Sequence, residues 1–334
     1  MKTNLFSYNS ILFTLIIILI STITIWKLPQ TQNGYTHIGI AVYDMDDTFI
    51  NDYVTKLQNK IDRSSFSGKK VLYEIFDAEG NANRQEHQLQ YMYTQNFDAL
   101  LINLVTPSSA ASVLNETANH DIPVILFNRE ADKKDLSISK QTWYVGTAAK
   151  KAGAIQADML QNVWNIDKVN LDRNKNNKLD YILIEGEQTH FDAVRRTNGF
   201  LESSQNLPLN QLTNLSADWQ RNLSSVKFSK LDTSIIQSAE AIICNNDDMA
   251  LGAWEALEEK GCTEVQVVGI DGIEEVRELV DEDKILGSVL CDTKLHAKAL
   301  MQFIDVLAFH NGSVEKLNLE NERYYMIPLT KVEK

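Results

Sequence analysis

Short apolar segments alternate with amphipathic stretches along most of the chain, from His37 onward. Seven of these segments are rich in β-branched residues and are continuously hydrophobic, which is typical of parallel strands buried on both faces. They are HIGIAVY, KVLYEIF, ALLINLV, PVILFN, YILIEG, AEAIICN and VQVVGID.

The stretches between these segments have the apolar spacing of helices. Examples are INDYVTKLQNKI, RQEHQLQYMYTQ and DMALGAWEALEEKG, and Gly261 is placed to end the last one. Strand–helix alternation predicts an α/β fold with right-handed crossovers. Because a single core stops growing near this chain length of 334 residues, we expect the strands to be divided between two sheets.

The first 34 residues have a different composition. No side chain between Lys2 and Lys27 is charged, and ILFTLIIILISTITIW is almost wholly apolar. This pattern predicts a signal peptide or an uncleaved signal anchor over residues 1–34, and hence an extracytoplasmic protein. The missing small-residue cleavage site favours the anchor. Cleavage remains an alternative, because the apolar run is shorter than the roughly 20 residues that span a bilayer.

Charge and cysteine content exclude several classes of function. A formal net charge of −13 and a pI near 5.0 argue against nucleic-acid binding, which depends on Lys and Arg facing phosphates. Cys244, Cys262 and Cys291 are too scattered for a zinc site or a disulfide framework.

Polar residues follow most of the predicted strands, at the sheet edge where α/β proteins bind ligands. Asp, Asn and Arg can satisfy sugar hydroxyls, and flat aromatic rings can cover the C–H faces of a sugar. Helix capping and turn formation are the alternative for any single residue. The residues considered for hydroxyls are Asp47, Asn103, His190, Asp192, Arg196, Asn246 and Asp271, and the aromatic candidates are Phe49 and Trp219.

From about His37 to Pro328 the chain resembles the periplasmic glucose/galactose-binding proteins, a class of two-lobed sugar-binding proteins that serve transporters and chemoreceptors. The resemblance rests on IGIAVYDMDDTF, LLINLVTPSSA, IPVILFNRE, YVGTAAKKAG, HFDAVRR, AIICNNDDMALGA and VVGID. It implies that the polar residues above bind sugar hydroxyls and that Phe49 and Trp219 sandwich the ring. It also implies two Rossmann-like lobes, each a parallel sheet flanked by helices, which are joined by a multi-stranded hinge and close around the sugar.

The resemblance divides the chain into two lobes. The first comprises residues 36–122 and 292–327, and the second comprises residues 123–291 and 328–334. At the position of a further sugar-binding Asn of the family, this chain has Cys291. A thiol is a weak hydrogen-bonding group, so we expect a changed sugar preference there.

LDRNKNNKLD, residues 171–180, looks like the start of a calcium loop. It departs from an EF-hand, because Asn177 and Leu183 replace the required Gly and Glu. The family carries a nine-residue calcium loop closed by a distant Glu. The resemblance therefore implies a structural Ca²⁺ held by the side chains of Asp172, Asn174, Asn176 and Asp180, the Lys178 carbonyl and Glu240. A plain surface turn is the alternative, since Arg173, Lys175 and Lys178 weaken the local negative field.

Two functions remain open at this stage. The first is a binding protein that delivers a galactose/glucose-type hexose to an ABC permease. The second is a membrane-anchored sugar sensor that partners a histidine kinase or chemoreceptor. An enzyme is not expected, because no nucleophile, cofactor loop or metal-bound water accompanies His190 and Asp192.

Overall fold

The computed structural model describes residues 35–64, 70–309 and 312–334. The predicted signal peptide or anchor, residues 1–34, lies outside these residues. Within the described ranges, no helix is both long and apolar enough to cross a membrane.

Twelve strands are present in the described residues. Those near the start of the chain are β1 (Tyr35–Val42), β2 (Lys70–Asp77), β3 (Ala99–Ile102), β4 (Val124–Phe127) and β5 (Thr142–Gly146). The later strands are β6 (Leu179–Glu185), β7 (Leu209–Ser216), β8 (Ala241–Cys244), β9 (Gln266–Val268), β10 (Ser288–Cys291), β11 (Tyr324–Met326) and β12 (Leu329–Val332).

These strands form two parallel sheets, one in each lobe. The first has the order β11-β5-β4-β3-β1-β2, and the second has the order β7-β6-β8-β9. An antiparallel pair, β10 and β12, borders the second sheet through single bridges such as Asp271 to Leu290. The α/β prediction with two Rossmann-like lobes is confirmed.

Helices cover the sheets and connect successive strands. Those nearer the start of the chain are α1 (Thr48–Arg63), α2 (Ala82–Tyr93), α3 (Ala110–Asn119), α4 (Ala149–Leu171) and α5 (Phe191–Ser203). The later ones are α6 (Arg221–Ser229), α7 (Thr233–Ser238), α8 (Asp247–Lys260), α9 (Glu274–Asp281) and α10 (Thr293–Phe309). The chain returns to the first lobe late, because α10 packs on α1 and β11 pairs with β5.

The predicted lobe boundary between residues 122 and 123 is wrong. Leu100 of β3 pairs with Val124 of β4, and β4 in turn pairs with β5, so both strands belong to the first sheet. The chain therefore enters the second lobe only after Gly146. A fully buried strand has the same apolar pattern in either sheet, so its hydrophobicity does not show which sheet it joins.

Candidate functional site

A cleft lies between the lobes, where the carboxyl ends of strands from both sheets face each other. It contains a cavity of about 30 Å³. Both lobes contribute to its wall. The lining residues are Tyr43, Asp47, Phe49, Asn128, Arg129, His190, Asp192, Arg196, Trp219, Asn246 and Asp271.

The structure brings most of the predicted sugar-site residues together at this cavity. Asn103 and Cys291 are the exceptions, since neither is in the wall. Three lining residues were missed by the sequence reasoning: Tyr43, Asn128 and Arg129. Each directly follows a predicted strand core, so the rule of polar strand ends could have found them. The predicted residues at the cavity are Asp47, Phe49, His190, Asp192, Arg196, Trp219, Asn246 and Asp271.

Asn103 lies beneath the cavity and not in it. Its side-chain oxygen accepts a hydrogen bond from the Tyr43 backbone N–H at 3.3 Å, and its amide nitrogen donates to the Phe127 carbonyl at 3.0 Å. The residue is fully buried. Asn103 therefore ties the ends of β1 and β4 together, and its contact with a ligand stays a prediction.

Cys291 is also behind the wall of the cavity. Its backbone N–H donates to the Asp271 carbonyl at 3.0 Å, and its side chain is only 2% exposed. Burial raises the pKa of this thiol, and the Asp271 carboxylate adds to the effect. The backbone of Cys291 is thus bound to Asp271, and the effect of this position on the sugar preference stays a prediction.

Asp47 both caps a helix and faces the cavity. Its Oδ1 accepts from the Ile50 backbone N–H at 2.9 Å, at the start of α1, and its Oδ2 accepts from the Tyr43 hydroxyl. The nearby Phe49 is 6% exposed and contacts His296 edge-on, with ring centroids 5.8 Å apart. Capping therefore fixes a carboxylate at the cavity wall with little freedom to move.

His190 is held as a neutral donor. It caps α5, and its Nδ1 accepts from the Asp192 backbone N–H at 3.1 Å, so the ring proton is on Nε2. Burial, together with the nearby Arg129 and Arg196 guanidinium groups, lowers the pKa of His190 to about 2. The imidazole therefore offers one N–H to the cavity at neutral pH.

Arg196 and Asp271 form the charged floor of the site. Arg196 Nη1 donates to the Asn245 carbonyl and lies 3.7 Å from Asp271 Oδ1. Burial raises the pKa of Asp271, while Arg196 acts to lower it. Asp271 has a φ of 128°, which is rare for a residue with a side chain and is typical of functional positions held by their surroundings.

Trp219 supplies an aromatic wall from the second lobe. Its ring centroid lies 5.5 Å from the Arg196 guanidinium carbon and 5.3 Å from the His190 ring. Asn246, which caps α8, donates from its amide to the Trp219 carbonyl at 3.1 Å. A Cβ on Gly186 would be 2.3 Å from the indole, so only glycine leaves room for the ring in this position.

Four buried polar atoms of the cavity residues have no hydrogen-bond partner in the described part of the chain. Three of them are donors and one is an acceptor. Native proteins rarely leave such atoms unsatisfied, so an unpaired set in one cavity indicates a polar ligand. The atoms are His190 Nε2, Arg196 Nε, Trp219 Nε1 and Asp192 Oδ1.

The predicted calcium loop forms a compact polar turn. Lys175 and Asn177 have positive φ values of 59° and 63°. Asp172 accepts from the backbone N–H groups of Asn176 and Asn177 at 3.0 and 3.1 Å. The turn therefore closes without glycine, as Asn tolerates this conformation.

Glu240 comes from outside the loop and reaches it. Its two carboxylate oxygens accept from the backbone N–H groups of Asn174 at 3.4 Å and Asp180 at 3.0 Å. Asp172, Asp180 and Glu240 are all buried, and burial raises the pKa of Glu240. The tertiary structure thus brings a distant third carboxylate to the loop.

A model of the periplasmic binding protein domain matches residues 38–311. The chain belongs to the periplasmic binding protein family. It is 31% identical over 89% of both chains to a D-galactose/methyl-galactoside binding periplasmic protein of Haemophilus influenzae. It is 26% identical to the ribose import binding protein of Bacillus subtilis, over 94% of this chain and 98% of the relative.

The fold also matches solved periplasmic binding proteins. An ABC transporter solute binding protein of Bacillus halodurans with bound myo-inositol aligns with a TM-score of 0.75 and 24% identity. The alignment covers 91% of this chain and 96% of that structure. The predictions of a type I periplasmic sugar-binding protein and of a protein that is not an enzyme are confirmed. This family is extracytoplasmic and serves ABC transporters.

Proposed function

We propose that this periplasmic binding protein binds a galactose/glucose-type hexose in the cavity between its lobes and delivers it to an ABC permease. The four unpartnered polar atoms of the cavity carry this proposal. A sugar hydroxyl can donate and accept at once, so a ring of hydroxyls can satisfy both kinds of atom. Phe49 and Trp219 are the aromatic surfaces available to its C–H faces.

The division of the cavity between two lobes couples binding to closure. Tyr43, Asp47 and Phe49 come from the first lobe, and His190 and Trp219 come from the second. A sugar contacts both sets only when the lobes are closed, so it favours the closed form by the free energy of the added contacts. A permease can then distinguish the loaded protein from the empty one by its shape.

The sugar preference can be tested by isothermal titration calorimetry with D-galactose, D-glucose, D-ribose and xylitol. We expect a hexose to bind at least about tenfold more tightly than ribose, because the extra hydroxymethyl group can add a hydrogen bond worth about 1.5 kcal/mol. The identity to a galactose-binding relative supports this order. Tight binding of ribose alone would contradict the hexose proposal.

We also propose a structural Ca²⁺ at the loop of residues 172–180. Such a site would need amide and carbonyl oxygens beside its carboxylates. In the described residues, no three acidic, His or Cys side chains lie close enough together to hold a metal alone. Ca²⁺ takes six to eight oxygens, including amide and carbonyl oxygens. The proposed ligands are Asp172, Asn174, Asn176, Lys178 through its carbonyl, Asp180 and Glu240.

The surroundings of the loop support this proposal. The amide nitrogens of Asn174 and Asn176 both donate to Asp180 Oδ2, so both amide groups lie beside this carboxylate, and a half-turn of each amide would present its oxygen to a bound ion. Arg173 is engaged elsewhere, since its Nη1 lies 2.6 Å from Glu264 Oε1. One of the three cations that weaken the negative field of the loop therefore has its own counter-ion.

We further propose that residues 1–34 remain attached and anchor the protein to the membrane. The absence of a small-residue cleavage site in the sequence supports this proposal. Mass spectrometry of the protein isolated from membranes is expected to show the full-length chain. A mature mass lacking about 30 residues would contradict anchoring and would leave the sugar-binding proposal unchanged.

A further inference from the structure

Two ion pairs cross between the lobes beside the cavity. Arg129 Nη2 of the first lobe lies 3.3 Å from Glu187 Oε1 of the second. Arg195 of the second lobe pairs with Glu130 of the first. Each lobe therefore contributes one cation and one anion. In the first lobe these are the neighbouring residues Arg129 and Glu130.

Arg129 is held rigidly by its own lobe. Its Nη1 donates to the Val105 carbonyl at 2.7 Å, and its guanidinium carbon lies 3.5 Å from the centre of the Tyr43 ring. The side chain is only 4% exposed, whereas that of Glu187 is 36% exposed. A fixed cation is thus presented to an adaptable carboxylate on the opposite lobe.

Glu130 has the opposite arrangement. Its side chain is 10% exposed in the closed cleft, and that of its partner Arg195 is 33% exposed. Burial raises the pKa of Glu130, while Arg195 lowers it and the Asp192 carboxylate raises it. In the closed form, Arg195 therefore offsets the repulsion between Glu130 and the cavity residue Asp192, from which its Nη1 lies 3.8 Å.

We propose that Arg129, Glu130, Glu187 and Arg195 form an inter-lobe ionic latch that sets how long the protein stays closed on its ligand. This proposal depends on the proposed closure of the lobes around a sugar. It assigns to the four residues the role of holding the lobes together. Glu130, Glu187 and Arg195 are not in the cavity wall, so they act on the lobes and not on the sugar.

The two pairs can form only when the lobes meet. In an open form their four charged groups would face water, so the pairs stabilise the closed form relative to the open one. Apparent ligand affinity scales with the fraction of molecules that can adopt the binding-competent form. Weakening the latch therefore raises Kd mainly by speeding release, because the contacts to the ligand stay intact.

The proposal can be tested by a double-mutant cycle of Glu130→Gln and Arg195→Gln, with Glu187→Gln as an independent variant. Kd and the release rate would be measured by stopped-flow tryptophan fluorescence with D-galactose. We expect each single variant to release the sugar about five- to twentyfold faster. The change in the activation free energy of release in the Glu130–Arg195 double variant should differ from the sum of the changes in the two single variants. Additive effects, or unchanged release rates, would overturn the latch.

Glu202→Gln is the matched control. Glu202 pairs with Lys150 at 2.6 Å, but both residues belong to the second lobe and are exposed. This variant should release the sugar at the wild-type rate, because its ion pair does not change on closure. A release rate as fast as that of the latch variants would show a general charge effect and overturn the proposal.

A failure of the hexose proposal leaves the latch testable. If D-ribose or xylitol binds and D-galactose does not, the same cycle is measured with that ligand. If none of these ligands binds, small-angle X-ray scattering compares the ligand-free wild type with the Glu187→Gln, Arg195→Gln double variant. A larger radius of gyration for the variant supports the latch, and equal radii overturn it.

Discussion

Replacing Arg196 by Met is expected to raise the Kd of the sugar about tenfold to a hundredfold. Arg196 supplies the buried and unpartnered Nε donor of the cavity, and its guanidinium faces Asp271 at 3.7 Å. The substitution removes a charged donor worth about 1.5–3 kcal/mol to a ligand hydroxyl. It also leaves the buried Asp271 without the cation that lowers its pKa.

Titration calorimetry with D-galactose measures this loss, and circular dichroism checks that the variant is folded. Arg277→Met is the matched control, because Arg277 is exposed on α9 and lies away from the cavity wall. It should bind like the wild type. If Arg196→Met also binds with wild-type affinity, the cavity is not the sugar site.

Arg196→Met removes a buried charge and can unfold the protein. A second, milder variant therefore tests the same cavity. Asp192→Asn preserves the shape of the side chain and replaces a carboxylate oxygen by an amide group. Asp192 Oδ1 is the unpartnered acceptor of the cavity, so this change is expected to weaken binding about tenfold or more. Wild-type affinity of this folded variant would contradict its role as an acceptor.

Removal of Ca²⁺ with EGTA is expected to lower the unfolding temperature by about 5 °C. An ion that binds only the folded chain stabilises it by about 2.7 kcal/mol when its free concentration is about a hundred times Kd. A chain of this size loses about 2 °C per kcal/mol. Without the ion, the buried carboxylates of Asp172, Asp180 and Glu240 keep only N–H partners.

Differential scanning calorimetry in Ca²⁺ and in EGTA measures this shift. Glu240→Gln should be less stable than the wild type in Ca²⁺ and should respond little to EGTA. Glu202→Gln is the matched control, because Glu202 is exposed, pairs with Lys150 and is not a proposed ligand. It should keep the full response. An unfolding temperature independent of Ca²⁺ in the wild type would leave the loop as a plain turn.

The cavity shows where sequence reasoning reached its limit. Polar residues after strands were expected at the ligand edge, and Asp47, His190, Asn246 and Asp271 are there. Asn103 also follows a strand, but its amide oxygen accepts from the Tyr43 N–H and its amide nitrogen donates to the Phe127 carbonyl. The position of a residue directly after a strand shows that its side chain is near the ligand-binding edge of the sheet. The competition between backbone and ligand for its hydrogen bonds is resolved only by the packed structure.

Hydrophobic periodicity was sufficient for the α/β class and for the seven strand segments first identified, and Gly261 marked the end of α8. These features depend on residues that are close together in the sequence, so they can be predicted from it. The sheet that receives β4 and β5, the approach of Glu240 to its loop and the pairing of Glu130 with Arg195 depend on contacts between distant segments. Their free energies arise from burial and charge in the assembled lobes, so only the tertiary structure decided them.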